Sequence, residues 1–314
     1  MQAAPRVAVY VDLDLVGDAL IKLPMVRALR HAFPTGELIW IAGRGRSAYA
    51  SALAPIMPGL LDQVIENGFD GDGLASKLNG PLDLLIDTQA RLRTSLALRR
   101  LRPRRFLSPA AGYLLSSFPP RPFYRRPRWL IRWLLDLVER ATGAPAVTDG
   151  TLVLPPAAEA LAAALLPDGP PAIALVVGAG GRHKAWPLER HVTLARALLA
   201  RGQRPVLILG PDEEPLHGEL AAALPEALFP RQQVTHAAGP ELTIALGRRC
   251  AAAVAGDCGG GHMLAASGTR MVSLFGPTNP GKFAPWASQL TILRQPTMHD
   301  ITVDSVLAAL GRAA

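Results

Sequence analysis

The stretch "CAAAVAGDCGGGHMLAASGTRMVSLFG", residues 250–276, reads as one strand–helix–strand unit. Residues 250–257 are a short run of small and apolar residues, which suits a strand buried on both faces of a parallel sheet. The run is expected to end at Asp257. Gly259, Gly260 and Gly261 follow, and a helix is predicted from near His262. A second buried strand is predicted at 269–276. Two apolar strands joined by a helix make a parallel crossover, so this region belongs to an α/β sheet.

The same alternation extends outward in both directions. "PAIALVVGAGG", residues 171–181, is a strand running into a glycine turn. "PLERHVTLARALLARG", residues 187–202, is a helix with Pro187 in its first turn and Gly202 just past its end. "RPVLILG", residues 204–210, is another strand. In the first half, strands are predicted at 6–13, 37–43 and 82–88, with an amphipathic helix over 18–33. Pro24 lies inside that helix and predicts a kink or a late start there. Residues 142–160 are rich in Pro, Gly and small side chains and form the expected boundary. The expectation is two Rossmann-like, doubly wound domains over residues 1–155 and 156–314, facing a cleft, with the last helix packing back on the N-terminal domain.

The 314 residues are enough for two cores, and apolar residues are near half of the chain. Cys250 and Cys258 cannot build a disulfide framework or a metal-binding pair of close cysteines. No apolar run approaches the ~18–20 residues of a membrane helix, and the first residues lack a signal-peptide pattern. A soluble cytoplasmic protein is expected. Thirty-three basic residues face 25 acidic ones, for a net charge of +8. Residues 91–140 hold thirteen arginines and two acids, Asp136 and Glu139. Mixed with Trp, Tyr and Phe, that segment suits an anionic glycolipid at a membrane surface. It equally suits a solvated face whose arginine stems pack on the domain. No nucleic-acid-binding module is recognisable.

Four candidate sites lie after predicted strands, where open α/β sheets bind ligands. Glycines 259–261 ahead of a helix suit a diphosphate, or are simply a tight turn. Gly180, Gly181 and Lys184 suit phosphate, against an ordinary surface lysine. Glu213, with Glu214 beside it, suits a ribose diol, against acids favoured by a helix dipole. Asp18, after Gly17, suits a catalytic base, against an N-cap aspartate. Asp12 and Asp14 are placed in the first strand on one face. No further hard ligands accompany them, so a metal pair is not expected there.

Together these motifs resemble glycosyltransferase family 9, the ADP-heptose:lipopolysaccharide heptosyltransferases and their relatives. "LDLVGDALIKLPMVRALRHAFP" is similar to the family's Gly-Asp, Leu-Pro and Phe-Pro opening. "GAGGRHKAWPLERHVTLARAL" is similar to its Lys-x-Trp-Pro segment, and "LILGPDEE" to its Gly-Gly-Pro-x-Glu segment. "AGDCGGGHMLAASGTRMVSLFGPTNPGKFAPW" resembles its Asp-Thr-Gly-x-x-His and Phe-Gly-Pro-Thr-x-Pro stretch.

The resemblance implies the GT-B architecture and an inverting, metal-independent transfer from a nucleotide-sugar, ADP-heptose, to a lipopolysaccharide-core or related glycan. No cofactor is implied. Asp18 matches the general base, Lys184 the phosphate-binding lysine and Glu213 the ribose-binding acid. Asp257, Cys258, Gly259, Gly260, Gly261 and His262 fall on the nucleotide-sugar motif, with Gly180 and Gly181 near the phosphates. Asp14, Arg44 and Arg46 fall on the acceptor side. Cys258 stands where the family carries Thr, exchanging a hydroxyl for a weak thiol donor. Two alternatives stand beside this reading. One is a member using another nucleotide-sugar, or a protein or small-molecule acceptor. The other is a nucleotide-binding module without catalysis. A dehydrogenase is disfavoured, because no Gly-x-Gly-x-x-Gly follows the first strand.

Overall fold

A computed structural model describes residues 4–69, 73–118, 124–149, 152–234 and 239–311. The chain divides into two compact units, Met1–Gly150 and Thr151–Ala314.

The first unit runs β1 (Arg6–Val11), α1 (Val16–Ala32), β2 (Glu37–Ala42), β3 (Gln63–Ile65), α2 (Gly73–Lys77), β4 (Leu84–Asp87), α3 (Leu92–Arg99), β5 (Arg105–Leu107) and α4 (Leu130–Thr142). Its strands are parallel in the order β3-β2-β1-β4-β5. Val7 to Val11 and Leu38 to Ala42 are buried throughout, which explains their unbroken apolar runs. On one side of the sheet Ala8, Tyr10, Ile39, Ile41 and Leu85 share a core with Leu74, Leu78 and Leu98. Helix α4 packs on α1 and β4 through a stripe including Ile131, Leu134, Leu135 and Val138. Its last turn closes at Gly143, which takes the left-handed conformation (φ 77°). The chain winds outward from β1 to β3, then returns to β4 on the other side of β1. The carboxyl ends of β1 and β4 are therefore the topological switch point.

The second unit runs α5 (Pro156–Leu165), β6 (Ala172–Val176), α6 (Leu188–Leu199), β7 (Arg204–Ile208), α7 (His217–Ala223), α8 (Pro240–Arg248), β8 (Ala252–Gly256), α9 (Gly259–Ala266), β9 (Met271–Phe275), α10 (Pro280–Phe283), β10 (Leu290–Arg294) and α11 (Val303–Gly311). The strands are again parallel, in the order β10-β9-β8-β6-β7. Here β6 and β8 flank the switch point. One core gathers Ile173, Leu175, Leu194, Leu198, Leu207 and Val254 between the sheet and α6. Helix α11 packs on α6, β9 and β10 of its own unit.

Several local expectations are corrected. Strand β1 stops at Val11, so Asp12 and Asp14 are loop residues and do not share a strand face. Asp14 is fully buried, whereas Asp12 is partly exposed. Helix α1 begins at Val16 and continues past the buried Pro24, so the start is not late. Helix α9 begins at Gly259 and not near His262, because Cys258 is the extended N-cap residue (φ −152°, ψ 167°). Strand β6 ends at Val176, leaving Gly180 and Gly181 in the loop beyond it. The division between the units falls a few residues before the expected 155/156 boundary, because Leu152 and Leu154 are already buried. Gly150 and Thr151 themselves lie outside the described residues.

Candidate active site

The loops at the switch point of the second sheet bring the predicted donor-side residues together. Lys184, in a short turn after β6, places Nζ 3.1 Å from Oδ2 of Asp257, the residue after β8. The lysine is three-quarters covered, and the pair fixes a cation beside the start of α9. Gly181 adopts φ +148°, which only glycine takes without strain, and its carbonyl accepts the Lys184 N–H at 3.0 Å. Glu213 follows β7 in a short turn, Pro211–Leu216. Its carboxylate rests directly on Gly178 and Gly210. A Cβ on either residue would meet Oε2 at 2.4 Å or 2.7 Å. Burial raises the Glu213 pKa, the adjacent Asp212 adds to this, and backbone N–H groups including that of Ala179 oppose it. Gly178 and Gly210 were not among the sequence-predicted residues. Their only signal was a glycine soon after each strand.

The three glycines of α9 divide by role. A Cβ at Gly260 would lie 2.8 Å from Val176, and one at Gly261 would lie 3.1 Å from Ala255 and from the Gly256 carbonyl. These two let the helix approach β6 and β8 closely. Gly259 faces open space, with nothing within 4 Å of a Cβ there. Cys258 offers only a thiol to the Gly260 and Gly261 N–H groups, so no hydroxyl or carboxylate of the chain caps the first turn. Burial pushes the Cys258 thiol up to about 11 against the Gly261 and Gly260 N–H groups, which favour the thiolate, and the charges of Asp257 and Glu213 add to the rise. It is therefore a neutral thiol near pH 7. His262 is buried in the same helix, its N–H bonded to the Cys258 carbonyl at 3.3 Å.

In the first unit Asp18 is the third residue of α1, and the N-cap is Leu15. The capping reading of this aspartate is therefore excluded, and its side chain is exposed at the end of the sheet. One turn on, Lys22 donates to the Asp18 carbonyl at 3.1 Å and to the Leu13 carbonyl at 3.5 Å. Burial lowers the Lys22 pKa, while the charges of Asp18 and Asp14 oppose that shift. Lys22 thus ties the loop before α1 to the helix, a role that no local pattern predicts. Asp14 serves the interior instead. Its Oδ2 accepts from Trp40 Nε1 at 2.9 Å and Ser47 Oγ at 2.8 Å, and burial raises its pKa. Asp12 holds Arg44 in a bidentate pair at 2.7 and 2.6 Å and Arg91 at 2.9 Å. The Arg44 bond draws its pKa down. Both guanidiniums remain about two-thirds exposed, presenting cations beside the switch point. Arg46 is exposed on the same loop. Asp87, at the end of β4, was also missed. It is fully buried, bonded to Ser95, Ser108 and the Gln89 N–H, and burial lifts its pKa to about 6.

Much of the basic segment 91–140 is taken up by internal contacts. Arg104 pairs with Asp83, Arg132 with Glu139 and Arg140 with Asp136. Arg126 lies 3.6 Å above the Trp133 ring, and Arg140 lies 3.8 Å above that of Tyr124. The packed-stem interpretation fits Arg126 and Arg140, whereas Arg104 makes its ion pair while 80% exposed. Residues 119–123 of the segment lie outside the described residues. No helix among the described residues is long and apolar enough to cross a membrane. Among the same residues, no three His, Cys, Asp or Glu side chains form a metal-binding group.

Comparison with known proteins places the chain in a family and identifies its fold. Residues 125–307 match the family described as glycosyltransferase family 9 (heptosyltransferase). Lipooligosaccharide heptosyltransferase 2 of Haemophilus influenzae is 32% identical over 117 residues, which span 36% of this chain and 33% of that relative. Lipopolysaccharide heptosyltransferase 1 of Pseudomonas aeruginosa is 29% identical over 291 residues, covering 86% of this chain and 79% of the relative. The structure of E. coli heptosyltransferase WaaC with ADP superposes with a TM-score of 0.71 at 19% identity, covering 98% of this chain and 100% of that one. That likeness assigns the two doubly wound sheets to the GT-B class. Through the match over residues 125–307, the chain belongs to glycosyltransferase family 9, the heptosyltransferase family, and is a glycosyltransferase.

Proposed function

We propose that this chain moves a sugar, heptose in the first instance, from a nucleotide-diphosphate donor such as ADP-heptose to a lipopolysaccharide-core or related glycan. Transfer is a single inverting displacement on the cytoplasmic side of the membrane. The observation that carries the reading is the cluster at the second switch point. A covered lysine, a glycine-rich helix start with only a thiol at its cap, and a glutamate seated on Gly178 lie in these loops, and such groups suit a nucleoside diphosphate. Glu213 accepts from the ribose hydroxyls. Lys184 and the N–H groups at the start of α9 take up the charge of the leaving diphosphate, the task a divalent ion would otherwise perform. On the first unit, exposed Asp18 accepts the proton of the attacking acceptor hydroxyl. Arg44, Arg46 and Arg91 offer cations to an anionic acceptor, and the chain works as a peripheral enzyme. The unit Met1–Gly150 binds the acceptor and the unit Thr151–Ala314 binds the donor.

Asp18→Asn is expected to lower turnover by roughly two orders of magnitude or more while leaving ADP affinity unchanged. Near-wild-type transfer by this variant would remove Asp18 as the base. A second reading, a different nucleotide-sugar, is favoured by Cys258, which leaves the start of α9 without a hydroxyl cap. Thermal shifts with ADP-, GDP- and UDP-sugars separate the two, since a bound ligand raises the melting temperature. A larger shift with ADP-heptose supports the first reading, and a larger shift with another donor supports the second. No shift with any of them would point to a protein that does not use such donors.

A further inference from the structure

A second concave feature lies in the first unit, apart from the donor cluster. The loop after β3 and the outer side of α3 leave a groove of about 730 Å³ over the sheet. Its apolar wall is Phe69, Leu74, Leu92, Leu96 and Leu101. Leu92 and Leu96, one turn apart on α3, are 49% and 48% exposed, so this helix presents an apolar stripe to solvent. The size lies within the range of small-molecule sites, and the lining is the apolar kind that holds a hydrocarbon body. Gly68 closes the floor. A Cβ there would meet Ile41 at 2.4 Å, so the loop lies tight on the sheet.

The rim fixes the sign of the occupant's polar end. Arg93 and Arg100 also line the groove, and both are exposed. Neither is in an ion pair among the described residues, unlike Arg104, Arg132 and Arg140 of the same segment. The sequence holds no acid from residue 88 to 135, and Asp70 and Asp72, which follow Phe69 in sequence, lie outside the described residues. An apolar trough with two exposed guanidiniums at its edge is complementary to an amphiphile with a hydrocarbon tail and an anionic head.

We propose that this groove binds an acyl chain of an anionic lipid acceptor, with Arg93 and Arg100 pairing its phosphate or carboxylate. The inference rests on the reading of a glycolipid acceptor and deepens it. The acceptor is recognised by its lipid anchor on α3 as well as by its sugar.

The test uses the full chain and alkyl phosphates of eight, ten and twelve carbons below their micelle concentrations, with binding read by titration calorimetry. Each methylene entering the groove should tighten binding about fourfold. Dodecyl maltoside, which lacks the anion, should bind more weakly than dodecyl phosphate. Leu92→Gln/Leu96→Gln changes only exposed positions and should fold normally, yet should abolish the chain-length dependence. Arg93→Ala/Arg100→Ala should keep that dependence and lose the preference for the phosphate. Equal affinity for all three chain lengths, or an unchanged response in the leucine variant, overturns the proposal. Sugar transfer to a delipidated acceptor reads the proposed function separately. Transfer without groove binding rejects the groove alone, and groove binding without transfer rejects the activity alone.

Discussion

Asp87 shows how far a residue's chemistry can lie from what its sequence context displays. In the chain it is the polar end of "LDLLIDT", a plain loop acid. In the fold it is sealed at the end of β4 with two serine hydroxyls at 2.6 and 2.9 Å, brought from α3 and from the loop after β5. Those partners lie 8 and 21 residues away, so no local pattern could reveal them. Because its pKa is raised from 3.8 to about 6, the folded state binds a proton that the unfolded chain releases between those values. Stability from this group is therefore fully present below about pH 4 and declines as pH rises through 6. The whole change amounts to about 3 kcal/mol. Asp87→Asn keeps the shape and an amide that the hydroxyls can satisfy. The difference in urea-unfolding free energy between variant and parent should grow in the variant's favour from pH 4 to pH 7. A constant difference would mean that Asp87 does not titrate in this range. Asp18 differs in kind. Its Gly-Asp context was legible, and what the structure adds is its place inside the first turn of α1, not at the cap.

Among the elements, the fully buried strands were legible because burial on both faces leaves unbroken apolar runs. Strands β3 and β5 are three residues each, too short for a pattern to stand out, and β10 is half-exposed at the sheet edge. The start of α9 was misplaced because three successive glycines read as a turn, although they form the helix's own first turn. Their separate roles follow from what surrounds each one. Gly260→Ala would force a methyl against Val176 and should cost about 1–3 kcal/mol, seen as a lower melting temperature without ligand. Gly259→Ala meets nothing and should leave the melting temperature of the free protein within a few degrees. If a diphosphate approaches this helix start, the same methyl should weaken ADP binding about tenfold or more, measured by calorimetry. Unchanged ADP affinity in Gly259→Ala would move the phosphates away from α9.

Over the whole molecule, two doubly wound units were legible from alternation and from motifs after strands, because a parallel sheet demands both. Their opposed acid responses were not legible, since each depends on a group whose burial is a tertiary fact. His191 lies on the inner side of α6, 4.9 Å edge-on from Trp186, with no hydrogen-bond partner at either ring nitrogen among the described residues. Burial lowers its pKa from 6.5 to about 4. Here the unfolded chain binds the proton first, so stability from this group is present above 6.5 and is lost as pH falls toward 4. By pH 5 the loss is about 2 kcal/mol, while Asp87 in the first unit gains about 1 kcal/mol over the same interval. The two contributions partly offset in any measurement of the whole chain, and single substitutions should uncover them. His191→Leu should be within about 1 kcal/mol of the parent at pH 8, since volume and burial are similar, and more stable than the parent at pH 5. Differential scanning calorimetry of parent and variant at both pH values checks this. If the units melt in separate transitions, acidification should lower the one that His191→Leu protects and raise the one that Asp87→Asn alters. An equal melting-temperature difference at pH 5 and pH 8 would show that His191 is not held neutral by the fold.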